Sequence, residues 1–96
     1  MAYINKGKWK AGVERHEGGQ HYRTYTHSKH RGAVIETHIS DHNALYSKYT
    51  VYGTLEEEGE VTASWKSRPW IMSLREAREE RTYVVNQLKD IFAVKR

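Results

Sequence analysis

The chain has 96 residues, 38% of them hydrophobic and 29% charged, with one proline and no cysteine. A single domain of this size commits nearly every large apolar residue to its core, which leaves little room for a deep catalytic pocket. The missing cysteines exclude disulfide frameworks, cysteine zinc sites and thiol catalysis. No apolar run approaches the roughly 20 residues of a membrane span, and Met1 to Lys10 lacks the apolar stretch of a secretory signal, so the expected setting is the cytoplasm, away from membrane.

From Trp9 to Lys66 the pattern alternates with period two and turn residues recur at short spacing, which predicts an antiparallel meander with one buried face. In a first strand at about 8–16, Trp9, Ala11 and Val13 are expected inward, with Lys8, Lys10, Glu14 and His16 outward. Gly18-Gly19 supplies the positive-φ positions of a hairpin turn. A second strand at about 20–28 places Tyr22, Thr24 and Thr26 on one face. His21, Arg23, Tyr25 and His27, with Lys29, take the other, and either set suits solvent. The basic tip Lys29-His30-Arg31-Gly32 leads into a third strand that buries Ala33, Ile35, Thr37 and Ile39, and Asp41-His42-Asn43 turns the chain. A fourth strand at about 45–55 buries Leu45, Tyr49, Val51 and Leu55 and sets Tyr46, Lys48, Thr50 and Tyr52 on the opposite face. Glu56-Glu57-Glu58-Gly59-Glu60 makes an acidic, solvated hairpin tip. Val61, Ala63 and Trp65 continue the inward row beyond it.

Pro69 ends the sheet region, and the period then changes. Ser73-Leu74-Arg75-Glu76 is a capping box, with a hydroxyl at the cap and a carboxylate three residues on. Leu74, Ala77, Val84, Leu88 and Ile91, beside Val85 and Phe92, form an apolar stripe at helical spacing over about 73–94. Arg81 falls near that stripe and either breaks it or lies along its edge through its aliphatic stem. The predicted architecture is α+β, a five-stranded antiparallel β-meander packed on one C-terminal α-helix, in one domain spanning 1–96.

The formal charge of +4 is carried by the first half, where residues 1–31 hold seven Lys and Arg against two Glu. Such a field attracts phosphate, anionic lipid or an acidic protein surface. Six histidines fall within 27 residues, but His27-x-x-His30 and His38-x-x-x-His42 beside Asp41 lie at strand ends and turns, where the spacing does not converge ligands, so no metal or other cofactor is expected. Glu36 and His38 share a strand face, the one local acid–base pair, and no phosphate loop or nucleophile motif occurs. The chain therefore reads as a binding protein rather than an enzyme. A helix covering the face of Trp9, Val13, Ile35, Val51 and Trp65 leaves open a face of Lys8, Lys10, His16, His38, Tyr46, Lys48, Tyr52 and Lys66. Tyrosines on such a face stack on unpaired bases while lysines follow phosphates.

The segment Gly7-Lys8-Trp9-Lys10-Ala11-Gly12-Val13, with a later strand leading into Ser73-Leu74-Arg75-Glu76-Ala77, resembles the three-strand-plus-helix arm-binding domains of phage integrases. No functional residue is carried over from that resemblance. A chain this short, rich in Tyr and Trp and without a catalytic signature, is also similar in type to small phage proteins that block host restriction or CRISPR systems.

The leading expectation is nucleic-acid binding, with Lys8, Lys10, Arg23, Lys48 and Lys66 and the tip residues Lys29 and Arg31 on phosphates, and Tyr46 and Tyr52 as stacking groups. The alternative is an inhibitor of phage or mobile-element type that docks on a host protein through Tyr46, Tyr52 or an exposed Trp70. An uncovered strand edge would also allow a homodimer.

Overall fold

A computed structural model describes residues 8–41, 48–68 and 70–94. Its strands are β1 (Trp9–Ala11), β2 (Arg15–Glu17), β3 (Gln20–His27), β4 (Ala33–Asp41), β5 (Tyr49–Glu57) and β6 (Glu60–Lys66), followed by helix α1 (Leu74–Val94). The sheet order is β1-β3-β4-β5-β6, antiparallel throughout, with β2 also pairing β3. This is the expected α+β meander on a C-terminal helix, with the first strand divided, so that six strands are formed among the described residues. The sheet thus has twice the strands of the integrase arm-binding domains that the opening residues resemble.

The division comes from Gly12-Val13-Glu14. Gly12 still donates its N–H to the Thr24 carbonyl at 2.8 Å, but β1 pairs Lys10 with Thr26 whereas β2 pairs His16 with His21, a register shifted by one residue. One extra residue turns every later side chain to the other face. Val13, expected in the core, is therefore 84% exposed. His16, expected outward, moves to the helix side, where its ring stacks on that of His21 at 4.2 Å. Arg15 takes the open face instead. A second irregularity, between Leu55 and Glu56 opposite β6, pairs Glu56 with Val61, and Val61 is likewise exposed rather than inward.

On β4 and β5 the helix-side face is as the alternation predicts, Leu45 lying outside the described residues, whereas Ala11 of β1 is exposed. Ala33, Ile35, Thr37 and Ile39 of β4 and Val51 and Leu55 of β5 are buried beneath Ala77, Val84, Val85, Leu88 and Phe92. The pairing of Tyr25 with Ile35 fixes the face of β3, so Tyr25 and His27 turn inward. The helix packs tightly over Gly53, where an added Cβ would lie 2.7 Å from Val84 Cγ1 and 2.9 Å from Leu88 Cδ1. Ser73 caps it, its Oγ accepting the Glu76 N–H at 3.1 Å. Arg81 does not break the stripe. It is buried on α1 and, with Arg78, binds Glu14 from the β1–β2 break.

Among the described residues no helix is long and apolar enough to cross a membrane. Both sheet edges are interrupted, β1–β2 by its break and β6 by its bulge, features that oppose strand pairing with a second copy.

Candidate nucleic-acid interface

Among the described residues one helix covers one sheet face and none covers the other. Register places five side chains of that face in one line across five strands, because Arg15 pairs with Tyr22, Tyr22 with His38, His38 with Tyr52, and Tyr52 with Lys66. Side chains facing one another across antiparallel strands are the sheet's closest non-sequential neighbours. The Arg15 guanidinium lies 5.5 Å from the centroid of the Tyr22 ring. Tyr22 and His38 meet edge to face at 4.7 Å, and His38 and Tyr52 at 6.5 Å. The result is an aromatic rung with a cation at each end. At the usual strand spacing it spans roughly 19 Å.

The flanking rungs are polar. On one side run Thr24, Glu36, Thr54 and Ser64, and on the other Glu17, Gln20, Ser40 and Thr50. Ser40 Oγ donates to Gln20 Oε1 at 3.1 Å, and His38 Nε2 sits 3.4 Å from Glu36 Oε1. The expected Glu36–His38 pair is thus formed, on a surface where each side chain is about a third exposed. Among the described residues no group of three His, Asp or Glu side chains is placed to hold a metal ion. Of the histidine pairs weighed for that role, His42 lies outside the described residues. His27 Nδ1 instead accepts the N–H groups of Lys29 and His30 at 3.0 and 3.2 Å, holding the β3–β4 turn.

The anticipated contact residues separate into groups. Tyr52 and Lys66 join the rung. Lys10, paired with Thr26, shares its face two rungs away, and Lys48 is the exposed residue just before β5, its N–H donating to the Ile71 carbonyl at 2.9 Å. Lys8 lies at the far end of the sheet, where its carbonyl accepts the Ser28 N–H, beside the exposed Lys29 and Arg31. That end lies about 17 Å along β4 from the rung. It is not purely basic, because Glu58 donates its N–H to the Gly32 carbonyl and brings the acidic β5–β6 tip against the basic one. Arg23 leaves the group altogether. Pairing with buried Thr37 puts it on the helix-side face, where its Nε donates to the Gly12 carbonyl at 2.8 Å. Tyr46 lies outside the described residues.

Three rung members, Arg15, Tyr22 and His38, were not among the anticipated contacts. His38 stands on the open face by simple alternation. Tyr22 follows once the apolar row of β4 is allowed to set the register of β3, and Arg15 once Gly12, a glycine inside a strand pattern, is taken as the mark of a bulge. Compared with known proteins, the chain matches no family model, no curated protein and no solved structure at a significant level.

Proposed function

We propose that this domain is a non-enzymatic, cytoplasmic nucleic-acid-binding protein that acts stoichiometrically through its open sheet face. The observation that carries the reading is the in-register line Arg15–Tyr22–His38–Tyr52–Lys66. Aromatic side chains on an uncovered sheet, bounded by cations and bordered by hydroxyl and amide groups, offer stacking, phosphate contact and hydrogen bonding on one surface. A rung one residue wide between polar rows differs from a protein-docking patch, whose desolvated centre is depleted in charge and serine. The test is a fluorescence-anisotropy titration with labelled oligonucleotides at two salt concentrations, on the wild type and on Arg15→Ala, Lys48→Ala and Lys66→Ala. The reading expects affinity to fall with salt and each substitution to flatten that dependence, by up to about 0.7 in the log–log slope for a lost contact to a single strand. An unchanged slope in all three variants removes this face from consideration.

A second reading, docking on a host protein as a phage-type inhibitor, is favoured by a different observation. Trp70 is 60% exposed in a left-handed backbone conformation (φ 64°), with Met72 41% exposed two residues on. An exposed tryptophan held this way is the kind of anchor that dominates protein interfaces. Under this reading Trp70→Ala abolishes capture of a discrete, nuclease-resistant partner, and binding is insensitive to salt.

A further inference from the structure

We infer that the ligand of the open face is an unpaired strand lying across the β-strands, with one base on Tyr22 and another on Tyr52. This rests on the nucleic-acid reading above and narrows it. Two strand spacings separate the tyrosines, about 10 Å, and His38 lies between them with its ring steeply inclined to both. A duplex cannot use such a row, because its bases are paired and stacked on one another and present only phosphates and groove edges to a flat sheet. Unpaired bases present their faces, and every base has one. Arg15 and Lys66 close the two ends of the rung with cations that hold phosphate, whereas Glu36 on one flank and Glu17 on the other repel it and keep the strand along the rung.

The test compares labelled oligothymidylate with the same strand annealed to oligoadenylate, at matched salt, for the wild type, Tyr22→Ala, Tyr52→Ala and Tyr52→Phe. The variants are first checked for an unchanged melting transition, and Tyr52→Phe, which keeps the ring, serves where the alanine variants fold poorly. The expected result is single-strand binding at least about tenfold tighter than duplex binding, a loss of about fivefold or more in each alanine variant on the single strand alone, and near-wild-type affinity for Tyr52→Phe. Equal or tighter duplex binding, or alanine variants that bind the single strand like the wild type, overturns the inference while leaving nucleic-acid binding in place. No binding to either form at low salt overturns the nucleic-acid reading and this inference with it.

Discussion

Arg81, buried in the middle of α1, donates a hydrogen bond to the carboxylate of Glu14, which sits in the break between β1 and β2. Arg78 reaches the other oxygen of the same carboxylate at 2.9 Å, and His21 Nδ1 lies 3.6 Å from it. The register shift that exposes Val13 is thus also what delivers a counter-ion to the helix. Without Glu14 the helix would hold a buried guanidinium with its charge unmatched, which is costly.

The Arg78 hydrogen bond first, and then Arg81, hold the Glu14 carboxyl down to about 2, against an opposing push from burial. Because folding lowers this pKa, the stabilisation is complete above the unfolded value near 4.5 and is lost as the pH falls from there toward 2. Part of the pair faces solvent, so the contribution is discounted to about 1–2 kcal/mol. Glu14→Gln is expected to lower the urea-unfolding free energy by about that amount at pH 7, with the difference from wild type shrinking below pH 4. A difference independent of pH contradicts the assignment.

Gly53 lies directly beneath Val84 and Leu88 of the helix. Gly53→Ala places a methyl group against Val84 and Leu88 and is expected to cost about 1–3 kcal/mol by overpacking. Adding Val84→Ala to it recovers part of the loss, which a double-mutant cycle measures as a favourable coupling. Simple additivity of the two substitutions contradicts the packing.

Ser73→Ala removes the hydroxyl that accepts the Glu76 N–H and is expected to destabilise the domain by about 1 kcal/mol, seen as a lower midpoint in thermal unfolding. Ser73→Asp, which keeps an acceptor at the cap, is expected to stay near wild type.

Glu36→Gln removes the negative charge beside the aromatic rung. It is expected to tighten oligonucleotide binding about two- to fivefold at low salt, with the gain fading as salt screens it. Anisotropy at two ionic strengths checks this, and unchanged or weaker binding would contradict a phosphate path beside the rung.

The strong alternation of β4, the hairpin glycines and the capping box made the fold legible in the sequence, because each carries a local geometric signal. Gly18 and Gly19 do take positive φ, and Ala33, Ile35, Thr37 and Ile39 are all buried. What escaped was set by single-residue insertions. Val13 lies in the break, His16 after it and Val61 before the bulge, and strict period two carries no record of an extra residue. The site inherited the same blind spot. Arg15 belongs to it only after the shift, and Arg23 drops out because β3, ambiguous by itself, takes its facing from its neighbour Ile35. Tyr52 and Lys66 were legible because β5 alternates without ambiguity, and the last stretch of β6 pairs with it beyond the bulge.

The proposed interface is the single line Arg15–Tyr22–His38–Tyr52–Lys66 on the open sheet face. Amide chemical-shift mapping of the labelled protein titrated with unlabelled oligothymidylate tests it most directly. The predicted result is a contiguous set of perturbations at Arg15, Tyr22, His38, Tyr52 and Lys66 with the Val84, Leu88 and Phe92 amides of α1 unmoved. Perturbations centred on Trp70 and Met72, or none at saturating oligonucleotide and low salt, would contradict it.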